Sequence, residues 1–141
     1  MHTYIYIPHS IVEETKKKSP VQGKHSLEPL RSFTKLNDVP LAMLEDTDIV
    51  NDAEVHTEKA DLWQCIEGEA VFTIGGEMVS PWFKKNTDGT EDKTEIFAKE
   101  IAGGDEQVIK KGDCLWIPAG VPHTHRAEGT ARFFVIKVPK V

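Results

Sequence analysis

Gly112-Asp113-Cys114-Leu115-Trp116-Ile117-Pro118-Ala119-Gly120-Val121-Pro122-His123 is the stretch on which the reading of this chain turns. Gly112 and Asp113 make a tight turn, four mostly apolar residues cross a core as a strand, and Pro118-Ala119-Gly120 turns the chain again. His123 then opens the next strand, and His125 lies two residues on and so shares its face. A histidine at a strand start, beside the open end of a barrel, is placed to bind something.

Working outward, short apolar or alternating runs recur at residues 41–44, 61–66, 70–74, 95–101, 107–109, 114–117 and 132–138. Turn signals separate them: Glu67-Gly68, Gly75-Gly76, Gly103-Gly104-Asp105, Lys111-Gly112-Asp113 and Glu128-Gly129. No segment beyond residue 50 carries helical periodicity. The pattern predicts an all-β chain, an antiparallel barrel or double-sheet jelly roll. One domain is expected, with the barrel over residues 41–141 and residues 1–40 as an N-terminal extension. There Pro8, Pro20, Pro29 and Pro40 interrupt any long helix, so a strand at 4–7 and a mobile loop near 13–26 are expected to wrap the barrel. Residues 80–93 read as a long polar loop led by Trp82 and Phe83, either a lid or subunit contact or a segment whose two aromatics simply pack over the barrel's rim.

At 141 residues the chain is long enough for one packed core. Its formal net charge of −6, with lysines scattered except for Lys16-Lys17-Lys18, excludes the basic stripe that nucleic acid demands. The lysine triplet reads as a solvated loop. No apolar run approaches the roughly 18 residues that span a membrane, and residues 1–8 lack the pattern of a secretory signal, so a cytoplasmic protein is expected. Cys65 and Cys114 each sit in a strand-like run without a CxxC partner and read as small buried hydrophobes. Trp63, Phe72 and Trp116 read as core. His2, His9 and His25 read as surface residues, having no carboxylate or cysteine at ligand spacing. A phosphate-cradling glycine loop and a GxSxG elbow are both missing.

The opening stretch resembles the second motif of the cupin superfamily: Gly, five residues, Pro-x-Gly, two residues, His. Gly112, Pro118, Gly120 and His123 meet every position, while the Asn often found four residues after the His is Ala127 here. The first cupin motif, His-x-His, three or four residues, Glu, six residues, Gly, is matched in altered form. Counting back from Gly68 places its ligand positions at Glu54, His56 and Asp61. The resemblance covers about residues 41–138, with an interval from Gly68 to Gly112 longer than is common because of the polar segment at 80–93.

The resemblance implies a jelly-roll cupin barrel, the double-stranded β-helix, with one divalent metal ion held by Glu54, His56, Asp61 and His123. Two imidazoles and two carboxylates suit Fe, Mn, Zn or Ni, and a carboxylate in place of the first His favours Mn or Fe. Cupins that lose a ligand can instead use the remaining polar groups to bind a sugar or acid. Glu58 is a spare carboxylate for Glu54 if the register differs, and His125 is a second contact to metal ligand or substrate. Three functions stay open: a metal-dependent isomerase, epimerase or dioxygenase on a small polar substrate, a metal or small-ligand binding module without chemistry, and a dimerisation unit. In the first, Glu54 (if not a ligand) and His125 are the candidates for proton transfer. Cupins commonly pair, so a homodimer is the expected assembly.

Overall fold

A strand presents alternate side chains to opposite faces, and β12 (His123–Pro139) buries residues on both. Its Phe133 and Val135 join an interior cluster with Leu44 of β2 (Leu41–Val50), Trp63 and Cys65 of β4 (Lys59–Glu67) and Phe72 of β5 (Glu69–Ile74). Its Phe134 packs on the other face with Met43 and Ile66. Full burial of rings such as Phe72 and Phe133 contributes about 1.5–3 kcal/mol each.

These facts come from a computed structural model that describes residues 3–140; His2, expected at the surface, lies outside the described residues. Strand β12 pairs antiparallel with β2, β4, β5 and, at His123, with β3 (Ala53–His56). The sheet extends from β3 to β8 (Glu91–Ala98) and β7 (Trp82–Lys85), from β5 to β10 (Asp105–Lys110), from β4 to β11 (Cys114–Ile117), and from β2 to β1 (Gly23–Ser26). A separate pair joins β6 (Glu77–Val79) to β9 (Glu100–Ala102). The ten strands of the main sheet curl into the expected antiparallel jelly roll. None of the helices among the described residues is long and apolar enough to cross a membrane.

The N-terminal section differs from its expectation. Residues 4–7 form no strand; instead α1 (His9–Lys16) and α2 (Leu30–Leu36) flank β1, where a mobile loop was expected in part. Proline explains the misreading: Pro8 and Pro29 occupy the N-caps of the two helices, where a missing N–H costs nothing, and so they start helices that they were expected to prevent. The helices cover the outer face of the barrel, with Ile11, Val12 and Leu30 packed around Met43 and Phe134. Thr15, at the end of α1, accepts a hydrogen bond from the Leu30 amide at 3.1 Å.

Three further readings change. Residues 80–93 are mostly a β-hairpin, β7 and β8, whose tip is closed by the Asn86 amide donating to the Thr90 carbonyl at 2.8 Å. The arm has little buried surface, which is why its sequence lacks strand-like apolarity. The run 95–101 is split between β8 and β9 at Lys99. On β11, Leu115 and Ile117 face the core, leaving Cys114 and Trp116 exposed, so neither is the buried residue expected. Four apolar residues in a row carry no phase, and only the pairing with β4 decides which face turns inward.

The N-terminal section is clamped by a buried ion pair. Arg132 of β12 donates Nε and Nη2 to Glu45 Oε1 of β2, at 3.0 and 2.8 Å, and its guanidinium also donates to the carbonyls of Lys16 and Lys18. The lysine triplet is thus tethered through its backbone. Gly68, between β4 and β5, is obligatory: it lies at φ +67°, and a Cβ there would fall 2.1 Å from the Thr130 carbonyl oxygen. Removing one partner of a buried pair leaves the other charge uncompensated, so Arg132→Ala is expected to cost about 3–5 kcal/mol of stability in urea unfolding. A loss under about 1 kcal/mol, the value of an exposed pair, would refute the clamp.

Candidate metal centre

The two motifs meet because a backbone hydrogen bond joins them. Gly120, at the end of the Pro-x-Gly turn, donates its N–H to the His56 carbonyl at 2.8 Å, and His123 pairs with Glu54 in the antiparallel register. The pleat then places Glu54 and His56 on one face of β3, with Asp61 near the start of β4. Ligand atoms of Glu54, His56 and His123 all lie within 4.8 Å of one another. Asp61 Oδ2 lies 3.5 Å from His56 Nε2 and 3.4 Å from His123 Nε2, and Glu54 Oε2 lies 3.3 Å from His56 Nε2. Glu54, His56 and His123 therefore converge, with Asp61 set against the two imidazoles, whereas Glu58 is exposed and plays no part.

Each imidazole is aimed by its outer nitrogen. His123 Nδ1 donates to the Val121 carbonyl at 3.0 Å, and His56 Nδ1 is hydrogen-bonded to the Glu95 carboxylate. Acceptors at Nδ1 turn both Nε2 atoms toward the common point, the arrangement that metal-ligating histidines use. Glu95 was not found from the sequence. Its signal is the strand register, since His56 sits directly opposite Glu95 in the β3–β8 pair, and that pairing is not legible until the hairpin arm is recognised as strands.

Two lysines were missed as well. Lys137 of β12 donates to Asp61 Oδ1 at 2.7 Å and lies 3.1 Å from His56 Nε2, while Lys24 of β1 donates to Glu54 Oε1 at 3.1 Å. Burial alone would raise the Asp61 carboxyl, but His123, His56 and Lys137 overcome it and hold the group well below the carboxylate range. Burial likewise opposes the charge on Glu54, and the His56 hydrogen bond and Lys24 reverse that effect, again to well below the usual range. Burial disfavours the His56 imidazolium; the hydrogen bonds it donates to Asp61, Glu54 and Glu95 outweigh it and push its pKa up to about 10.

The decisive detail is a close polar contact that no hydrogen bond satisfies. Asp61 Oδ2 and His123 Nε2 are buried with no hydrogen-bond partner, and they face each other at 3.4 Å. Val121 occupies the outer nitrogen of His123, so its Nε2 and Asp61 Oδ2 are both turned to the common point. Two donor atoms bound about 2.1 Å from one ion at angles of 90–110° stand about 3.0–3.4 Å apart. The three separations of 3.3–3.5 Å along Glu54–His56–Asp61–His123 lie close to that spacing, and imidazoles with carboxylates are the donor chemistry of a divalent cation.

Deeper in the barrel, His125 is buried and its Nδ1 is hydrogen-bonded to Asp46, which also accepts from Asn51 Nδ2 at 3.2 Å. Its ring stacks on Phe72, with centroids 5.1 Å apart, and contacts Trp63 at 4.9 Å. A cavity of about 220 Å³ adjoins the site, and Lys24, Arg31, Glu54, Trp63, Val135 and Lys137 are among its walls. His9 is exposed and His25 half-buried, and neither approaches this centre.

A family model described as a cupin domain matches residues 99–137, which include the second motif but not residues 54–68. Among solved structures, hydroquinone 1,2-dioxygenase from Sphingomonas sp. TTNP3 with 4-hydroxybenzoate bound is similar over 100% of this chain and 82% of its own, at 10% identity and a TM-score of 0.51. The Clostridium difficile EutQ protein is similar over 96% of this chain and 74% of its own, at 13% identity and a TM-score of 0.47. A recombinant oxalate oxidase in complex with glycolate is similar over 71% of this chain, at 15% identity and a TM-score of 0.44, and this chain spans 42% of its length. No curated protein matches the chain by sequence.

In metal-free protein the raised His56 pKa makes folding favour a proton there. That stability is complete below about pH 6.5 and is lost as the pH rises to about 10, whereas the contribution of Asp61 and Glu54 is lost only on acidification below their ordinary range. Chelator-treated wild type is therefore expected to lose stability in this alkaline window relative to His56→Gln, as followed by urea unfolding at several pH values. Parallel curves for the two proteins would contradict the charge assignment.

Proposed function

Since this chain is a cupin-fold protein, we propose that Glu54, His56, Asp61 and His123 bind one divalent metal ion and that the protein is a metal-dependent enzyme, an isomerase or epimerase or a dioxygenase, acting on a small polar substrate. Support comes chiefly from one observation: the buried, unpartnered Asp61 Oδ2 and His123 Nε2 face each other at 3.4 Å, the spacing of two donors on one ion. The donor set of imidazoles and carboxylates suits Fe(II), Mn(II), Zn(II) or Ni(II), and its two carboxylates favour Mn or Fe. A bound cation supplies a Lewis acid that polarises substrate oxygens.

The remaining work belongs to the chain. Glu95 fixes the His56 ring and Val121 the His123 ring, so that neither ligand has to reorient on loading. Lys137 and Lys24 set ammonium groups beside the carboxylates and face the cavity, where they orient an oxygen-bearing substrate. His125, with Nδ1 tied to Asp46, keeps Nε2 for taking up or releasing a proton next to Trp63, itself a cavity wall. Glu54 serves as that base only where it is not a ligand.

A second reading draws on Lys137. Its ammonium already touches Asp61 and His56, so lysine charge in place of a metal would make the barrel a metal-free small-ligand binding module.

Elemental analysis of protein purified without added metal separates the two. About one Fe, Mn, Zn or Ni per chain is expected in wild type and background levels in the His56→Ala/His123→Ala double variant; equal, background metal in both overturns the metal reading in favour of the second. Glu95→Gln, which keeps the shape but weakens the hold on His56, is expected to lower metal affinity by roughly tenfold to a hundredfold in competition with a chelating dye.

A further inference from the structure

We propose that the 220 Å³ cavity beside Glu54 and Lys137 takes a small organic carboxylate with an apolar body, its charge recognised by Lys24, Arg31 and Lys137 and its oxygen by the indole N–H of Trp63. The proposal deepens the metal-dependent reading by naming the substrate class of the same site, and the carboxylate pocket has its own observations.

Charge comes first. Three cationic side chains line the cavity against one carboxylate, Glu54. Lys24 is held by Glu54 and Lys137 by Asp61, which fixes the two ammonium groups at the wall. Among the described residues Arg31 makes no ion pair, so its guanidinium is available to a ligand at the rim. With Lys24 balanced by Glu54 and Lys137 by Asp61, the Arg31 guanidinium is left as the uncompensated charge at the rim, and it favours an anion over a neutral sugar.

An unmet hydrogen bond comes second. Trp63 is 3% exposed, lines the cavity, and has an Nε1–H with no acceptor. Buried indole N–H groups find a partner as a rule, and here a ligand oxygen is the partner the protein does not supply. A lysine cluster alone would not distinguish a bound ligand from a solvated face; the orphan donor beside it does.

Size and polarity come third. Leu41, Ala42, Leu44 and Val135 complete the walls, so that the charged groups occupy one side and hydrocarbon the other. The volume equals the share of about seven liquid waters and is below the range of about 300–1,000 Å³ that drug-sized ligands need. Those walls favour a carboxylate on a compact apolar body over free phosphate, which would leave them wet.

Isothermal titration calorimetry tests this with benzoate and hexanoate, each against its primary amide, on chelator-treated protein and on protein reloaded with Mn(II). Each carboxylate is expected to bind roughly tenfold or more tightly than its amide. Lys24→Met and Arg31→Met, at exposed positions and verified as folded by thermal melting, should each erase most of that preference by weakening the carboxylate more than the amide. Equal binding of acid and amide, or no saturable binding of either carboxylate, overturns the proposal, as does inorganic phosphate binding as tightly as the carboxylates. A preference that appears only after reloading and survives both substitutions assigns the charge to the ion and likewise overturns the lysine and arginine role. The preference in chelator-treated protein supports the proposal whatever the elemental analysis finds, and its absence in a protein that carries metal leaves the metal reading intact.

Discussion

The hydrogen bond from the Gly120 amide to the His56 carbonyl governs this molecule's geometry. It fastens the turn that precedes β12 to the end of β3, and so decides that His123 emerges beside Glu54 and His56 instead of one pleat away. A one-residue slip in either strand would turn these side chains to the opposite face. The requirement also explains the Pro-x-Gly turn. Gly120 sits at φ +84°, in the left-handed region where a side chain is strained, and presents its amide to His56 in that conformation.

Around this junction the protein concentrates charge that a barrel of this size would otherwise avoid. Glu54, Asp61 and Glu95 supply three carboxylates, while Lys24 and Lys137 supply two ammonium groups. The excess of one negative charge is what holds a proton on His56 into the alkaline range, and a divalent ion entering the site competes with that proton. Lysine and metal therefore have related roles here: the first balances the carboxylates that the second would bind. The same balance distinguishes Asp61 Oδ1, satisfied by Lys137, from Oδ2, left without a partner.

The barrel was legible because its signals are local. Glycine turns and alternating runs give strand positions without knowledge of partners, and the Gly112–His123 spacing encodes a turn, a strand and a second turn within a dozen residues. His123 followed from that spacing, and Glu54, His56 and Asp61 from the resemblance to the first cupin motif counted back from Gly68. What escaped depended on long-range pairing. Glu95, Lys137 and Lys24 lie on β8, β12 and β1, and nothing near them in sequence says that those strands line the site. The hairpin arm lacked apolar alternation because it buries little. The N-terminal helices were hidden by prolines that are disruptive inside a helix and harmless at its N-cap. Cys114 and Trp116 failed for another reason, because a short run that is apolar on both faces has no phase until its neighbour provides one.

Strand β12 has a bearing on the order of folding events. It joins β2 through pairs as remote as Ile136 with Leu41 and also closes against β3, β4 and β5, so one late segment completes four ladders at once. Each ladder demands closure of a long loop before it returns any energy. Barrel closure is therefore the slow step, on the millisecond-to-second scale of β-rich domains, and until it occurs β2 and β4 expose bare hydrogen-bonding edges to neighbouring chains.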